Sequence, residues 1–499
     1  MLTRLCVSGF KNLVEVDVRF GPFTCVAGGN AVGKSNLFDA IMFLAACADR
    51  PILEAAMEVR DRLGRSSDIR ALFHATVVGR HEIITFAADM IVPPVGQDDL
   101  GQPAHASITF LRYELDLRYV GAAGTSVRAG LQVLREQLTY IPLKDAARNL
   151  PFPHSLAWRR SVVHGRRASP FISTKNPGQN ATILLHQEGQ RGRAREFRAA
   201  TLPRTVLSTV NAAENPTALL ARREMQSWQQ LQLEPTALRA SDSFAAPVVM
   251  GSDGSHLAAT LYNLSRLQEE NQAAVGEDVY LRISDRLSQL VEDVRSVAVE
   301  RDDTRELLTV HVTLRDGTTH PARSLSDGTL RFLALAVLEA NPRVTGLLCF
   351  EEPENGIHPQ RITAMLQLLR DLAVDAKRAT DRDNPLRQVI INTHSPTVVA
   401  LVPRSSVLFA DATIAVSNGG VSSRVFFQPL ERTWRAQIDT MALAVQRGAV
   451  IGFLSPIRAG DWDSQSSWAD VEDPPVIMSK DVRQYVLQLE FPGEKRSKE

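Results

Sequence analysis

The sequence predicts an α/β fold, on three observations. Phe23-Thr24-Cys25-Val26-Ala27 is a short apolar run that leads into Gly28-Gly29-Asn30-Ala31-Val32-Gly33-Lys34-Ser35, after which residues 36–44 have helical apolar spacing. A second apolar run, Thr345-Gly346-Leu347-Leu348-Cys349-Phe350, ends abruptly in Glu351-Glu352-Pro353-Glu354. A third, Gln388-Val389-Ile390-Ile391-Asn392-Thr393, ends in His394-Ser395-Pro396. Each reads as a buried strand with chemistry-bearing residues at its tip, the arrangement of an open sheet whose site lies beyond the strand ends.

The first of these stretches fits the phosphate-binding pattern of glycine, four residues, glycine, lysine and serine, in its required setting of strand, loop and helix. Gly28 and Gly33 permit backbone angles that a side chain forbids, so amide N–H groups can turn onto phosphate oxygens. The helix start adds unpaired N–H groups and a positive dipole end. Lys34 is placed to reach the β- and γ-phosphates, and Ser35 to offer its hydroxyl to Mg²⁺.

At 499 residues the chain can bury a large core, and two or three domains are expected. With 56 basic and 56 acidic residues, no global charge announces a nucleic-acid or membrane partner. Cys6, Cys25, Cys47 and Cys349 are scattered without metal-ligand spacing, which suits a reducing cytosol. Charges at Arg4 and Lys11 argue against a signal peptide, and there is no apolar run of about 18 residues to cross a bilayer. A cytoplasmic protein with no membrane partner is therefore expected.

Taken in order, residues 1–27 read as strands, with Gly21-Pro22 as the turn before the phosphate loop. After the first helix, residues 50–75 read as helix and then loop, and strands are expected around 81–92, 106–119 and 130–140. From 151 to 205 periodicity weakens, and ten lysines and arginines stand against two glutamates. Residues 156–205 are either a nucleic-acid phosphate surface or a solvated region balanced by acidic neighbours. Residues 206–300 read as mostly helical, without the sustained heptads of a long coiled coil. Strands follow at 297–301 and 307–314, a strongly apolar helix at 330–340, strands at 407–415 and 421–427, and a helix near 434–446. Residues 492–499 are a charged, mobile-type tail, and Asp461-Trp462-Asp463 reads as a chance D-x-D triplet.

Glu351 and Glu352 are what a phosphate-loop ATPase needs at a second strand tip: one carboxylate to organise the Mg²⁺ shell, the next to polarise water. His394 can hydrogen-bond a γ-phosphate or that water. Ser326 can cap the helix at 330–340, with Gly328 allowing close backbone approach.

As a set, Phe10-Lys11-Asn12-Leu13, residues 28–36, Leu325-Ser326-Asp327-Gly328-Thr329, Phe350-Glu351-Glu352-Pro353-Glu354-Asn355-Gly356-Ile357-His358-Pro359 and Thr393-His394-Ser395-Pro396 resemble ATP-binding-cassette heads of the RecF/SMC type. The resemblance is greatest to RecF-like ATPases related to the overcoming-lysogenization-defect proteins. It covers about 1–95 and 250–415 well and the middle poorly.

The resemblance implies an ABC-type P-loop ATPase head with a β-rich subdomain and a helical insert lobe. Its parts would be the first half of the head at 1–95, a β-rich and basic insert at 96–250, the second half at 251–430 and a C-terminal extension at 431–499. ATP and Mg²⁺ are the implied cofactors. Gly28, Asn30, Gly33, Lys34, Ser35 and Asn36 would hold nucleotide, Ser35 and Glu351 the metal, Glu352 would be the general base and His394 the switch histidine. Residues 354–358 would cross to a partner head, whose γ-phosphate Ser326 and Gly328 would contact, so a homodimer is implied.

Departures are Glu351 where many cassette proteins have aspartate, Asp327 where transporters have glycine, an unplaced glutamine loop, and no Toprim nuclease after His394. The expected function is an ATP-hydrolysing switch in a DNA-linked process, antiphage defence with a separate nuclease or toxin effector. The alternatives are an ATP-binding scaffold that sequesters such a partner, and a DNA repair ATPase. A transporter subunit is disfavoured by the Glu351–Gly356 stretch and the long insert.

Overall fold

Seven consecutive buried side chains, Arg387–Thr393, mark a strand covered on both faces. In the computed structural model it is the third strand of a six-stranded sheet ordered Gln229–Leu231, Gly346–Glu351, Arg387–Thr393, Phe23–Ala27, Val407–Ser417 and Gly420–Pro429. The first five strands run parallel and the last antiparallel. Register sets Glu351 beside Asn392 and Thr393 beside Ala27. The glycine loop, the acids and the histidine therefore leave the sheet at one edge, where open α/β sheets hold ligands. The structure describes residues 1–59, 68–76, 79–121, 130–178, 180–188, 193–270, 279–417 and 420–438, with 444, 445, 453 and 476.

A second, eight-stranded sheet is antiparallel throughout, ordered Arg195–Arg198, Thr182–Leu185, Ile172–Lys175, Gly130–Tyr140, Phe110–Val120, Ile83–Ile91, Leu2–Ser8 and Val16–Arg19. Phe110–Val120 alternates buried with half-buried residues, as a strand with one covered face must. That face packs on helix Lys34–Cys47, which buries Leu37, Phe38, Ile41, Phe43 and Leu44 between the two sheets. Each such side chain contributes about 1.5–3 kcal/mol on leaving water. Gln388 stitches the sheets together: its amide accepts from Leu2 N–H at 2.9 Å and donates to the carbonyls of Leu2 at 2.7 Å and Gly21 at 2.9 Å. A second core holds helices Leu257–Glu270, Val279–Ser288, Asp327–Ala340 and Ile362–Leu372 against the strands Val294–Asp302 and Leu307–Leu314.

Two stretches differ from the sequence reading. The basic segment forms helix Leu156–Val162 and then three strands of four residues that extend the antiparallel sheet. Strands this short repeat too few times to display alternation, and in the last of them Arg195 and Arg198 fall on opposite faces. Within the stretch read as mostly helical, Gln229–Leu231 is the edge strand of the parallel sheet. Of the helix expected at 434–446, Trp434–Ile438 is present and residues 444 and 445 are not helical, while 439–443, 446, the triplet at 461–463 and the tail at 492–499 lie outside the described residues. Among the described residues no helix is long and apolar enough to cross a membrane.

One buried acid predicts a pH dependence of stability. Glu136 is fully buried, accepting from the N–H groups of Val206 at 2.8 Å and Leu207 at 2.9 Å and from the Tyr113 hydroxyl at 3.2 Å. Burial pushes its carboxyl from the ordinary 4.5 up to about 7, against the pull of those donors. The folded chain then holds a proton that the unfolded chain releases, so this group's contribution to stability falls as pH rises from 4.5 through about 7. Glu136→Gln removes that titration, and its unfolding midpoint in urea should fall less than the parent's over this window. Equal slopes would refute the assignment.

Candidate nucleotide site

At the common edge of the parallel strands lies a cleft of about 590 Å³, a size suited to a nucleotide. Its lining includes Asn30, Gly33, Lys34, Ser35 and Asn36 from the glycine loop, with Glu351, Glu352, Asn355 and Asn392 opposite. Gly28 and Gly33 adopt φ of 154° and 107°, angles that side chains rarely take, so the loop can turn its amides inward. Lys34 donates to the carbonyls of Gly28 at 2.8 Å and Gly29 at 2.7 Å, which holds the ammonium over the loop. Burial lowers its pKa, while Glu352, Glu354 and Glu351 pull the other way.

The strand Gly346–Glu351 ends in a sharp turn, because Glu352 takes the left-handed conformation with φ of 45°. Non-glycine residues held there are strained, and such strain concentrates at functional sites. Asn392, buried one strand over, fixes the turn: its side-chain oxygen and its carbonyl both accept from Glu352 N–H at 3.1 Å. Its amide also donates to Glu351 Oε1 at 3.4 Å. The Glu352 carboxylate is held at both oxygens, by His394 Nδ1 at 2.6 Å and by Asn355 Nδ2 at 2.9 Å. Burial raises its pKa, but Asn355, His394 and Lys34 together outweigh that and keep it lowered. Glu352 is therefore ionised at neutral pH, and His394 donates to it.

Glu354, the first residue of the segment expected to cross to a partner head, is buried, accepting from the Thr393 hydroxyl, and burial raises its pKa. Asn355, Gly356 and His358 are exposed. Ser326 is exposed and caps helix Asp327–Ala340, accepting from Thr329 N–H at 3.2 Å. Neither Ser326 nor Gly328 lines the cleft that holds Lys34. Gly328 instead meets the acidic turn, where a Cβ would stand 2.7 Å from the Gly356 carbonyl. From the same helix Arg331 donates to Leu233 O at 3.1 Å and to Asn355 O, tying the helix to both sides of the cleft.

Sequence reasoning missed Gln232 and Asn392. Gln232 follows the edge strand and lines both this cleft and an adjoining one that includes Ser35 and Glu351. Nothing in Trp228-Gln229-Gln230-Leu231-Gln232 reads as a strand, so the residue carried no signal. Asn392 did carry one, being a polar residue inside an otherwise apolar buried run.

Comparison with known proteins gives a family match over residues 163–400, described as "AAA domain, putative AbiEii toxin, Type IV TA system". The DNA replication and repair protein RecF of Porphyromonas gingivalis is 36% identical over 61 residues, which are 12% of this chain and 17% of that protein. RecF of Phocaeicola vulgatus is 38% identical over 55 residues, 10% of this chain and 15% of that one. The chain thus spans about a sixth of the length of these curated relatives. Among solved structures, an SMC head bound to the C-terminal winged-helix domain of ScpA aligns over 86% of this chain and 99% of its own, with 14% identity and a TM-score of 0.44. The SMC head of Thermotoga maritima aligns over the same shares, with 12% identity and a TM-score of 0.35. Strand order and loop geometry give this chain an α/β fold with a phosphate-loop cleft at the ends of its parallel strands, and residues 163–400 match the AAA domain family.

Proposed function

We propose that the chain binds ATP with Mg²⁺ in this cleft and hydrolyses it. The observation that carries the reading is Glu352, an ionised carboxylate at a strand tip, held by His394 and Asn355 in the cleft that Lys34 and Ser35 also line. Glu352 takes the proton of the attacking water as the bond from water oxygen to the γ-phosphorus forms and the bond to the leaving ADP breaks. His394 orients Glu352. Ser35 and Glu351, with Gln232 beside them, would hold Mg²⁺, which neutralises charge on the β- and γ-phosphates when bound. Such a site uses one or two carboxylates plus phosphate oxygens. In keeping with that, the described residues contain no cluster of three or more His, Cys, Asp or Glu side chains able to cage a metal ion.

The working unit is a homodimer. Ser326 is exposed and does not line its own cleft, while Asn355, which does, is exposed along with Gly356 and His358, so a second copy can complete the site. ATP closes the two heads and hydrolysis reopens them.

The process served is DNA-linked defence against phage, with a separate nuclease or toxin as effector. The family description, which names a toxin–antitoxin system, supports this reading. The name of the RecF relatives favours the alternative, a DNA repair ATPase. Steady-state phosphate release with and without DNA separates either switch from a scaffold, which would bind ATP without useful turnover.

The extended sheet offers a surface for DNA. Lys175, Thr182 and Arg198 are in register across three neighbouring strands, so Lys175 and Arg198 share one face, and both are exposed. Lys175→Ala with Arg198→Ala should flatten the fall of DNA affinity with salt by about 0.9 in log–log slope for each phosphate left without its cation. An unchanged slope would place the DNA elsewhere.

A further inference from the structure

Asn12 lies outside the glycine loop, in the turn between the strands Leu2–Ser8 and Val16–Arg19, yet its side-chain amide is spent on that loop. Nδ2 donates to the carbonyl of Val32 at 3.0 Å, and Oδ1 accepts from Asn36 Nδ2 at 2.7 Å. Gly33 passes directly over the amide, since a Cβ there would run into Asn12 Nδ2 and Oδ1. Asn12 is itself anchored. Its carbonyl accepts from Val425 N–H at 3.1 Å, and Lys11 N–H donates to Leu72 O at 2.7 Å. The Lys11 ammonium pairs with Asp39 on the first helix at 2.7 Å, and Phe10 packs against Phe43 and Phe86.

The Val32 carbonyl and the Gly33 N–H belong to one planar peptide unit, and in a trans peptide they point in opposite directions. Among the described residues no peptide bond is cis. Holding the carbonyl toward Asn12 therefore turns the Gly33 N–H away from Asn12, toward the cleft that Gly33 lines. A peptide beside a glycine is otherwise free to rotate, because φ at Gly33 is little restrained by sterics.

We propose that Asn12 is a positioning residue of the nucleotide site: it locks the Val32–Gly33 peptide so that the Gly33 N–H is presented to a phosphate oxygen. The motif that binds phosphate is thus completed by a residue from the antiparallel sheet, and nucleotide affinity depends on the Phe10–Leu13 turn keeping its place. This rests on the ATP-binding reading above.

The test measures equilibrium binding of MgATP, KM and kcat for ATP, and the thermal unfolding midpoint without nucleotide, for the parent, Asn12→Ala, Asn12→Asp and Lys34→Ala. Asn12→Ala should weaken MgATP binding about ten- to thirtyfold, the scale of one or two missing hydrogen bonds, and raise KM more than it lowers kcat. Asn12→Asp is isosteric and keeps the acceptor for Asn36, but sets a carboxylate oxygen against the Val32 carbonyl. Its affinity should fall at least as far with little change in midpoint. Binding within about twofold of the parent in both variants, or a loss of midpoint with affinity intact, overturns the proposal. A parent that binds MgATP no better than Lys34→Ala would overturn the ATP-binding reading itself, and the proposal with it.

Discussion

Glu352→Gln lowers steady-state ATP turnover by about a hundredfold or more while leaving MgATP bound, an effect of the size general bases supply. The substitution keeps the shape of the side chain, its acceptor oxygen and the left-handed turn at φ of 45°, and removes only the ability to take a proton. In the parent that ability is built in, because His394 at 2.6 Å and Asn355 at 2.9 Å hold the carboxylate ionised. With chemistry stopped after nucleotide binds, two heads should accumulate in the closed dimer, visible as a doubled mass in the presence of MgATP. Turnover by Glu352→Gln at the parent rate would remove Glu352 from the role of base.

Lys34→Ala weakens MgATP binding by about a hundredfold, since hydrogen bonds to charged groups are worth about 1.5–3 kcal/mol and the ammonium is placed to make more than one. It acts on the acids as well. Lys34 is among the groups that keep Glu352 ionised, and Glu351 and Glu354 also feel its charge. The variant should therefore lose turnover even at ATP concentrations that saturate it. Titration of a fluorescent ATP analogue and the rate at saturation measure the two effects separately. Affinity equal to the parent's would contradict the placement of the nucleotide over the glycine loop.

How much of this was legible in the sequence depends on how locally each feature is encoded. The loop at 28–35 and the acid pair at 351–352 announce themselves because backbone conformation, helix start and carboxylate chemistry are properties of adjacent residues. The long antiparallel strands were legible for a similar reason, since Phe110–Val120 repeats its alternation often enough to be seen. Gln229–Leu231 was not, because a three-residue strand owes its existence to the edge of Gly346–Glu351 and not to its own glutamines. For Glu354 the resemblance implied only a place on the segment that crosses to a partner head, and its contact with Thr393 follows the left-handed turn at Glu352, which the sequence does not display. Asn12 belonged to a recognised motif, but its task depends on Val32 and Asn36, distant in sequence and joined to it only by the packing of sheet on helix.

In the proposed dimer this cleft is half a site, completed by a second head. The specific ATPase rate, per protomer, as a function of protein concentration tests it most directly. The expected rate rises with concentration and levels off as sedimentation reports the dimer, with Lys34 able to bind ATP in the monomer without fast turnover. A specific rate that stays constant into the dilute, strictly monomeric range would contradict it.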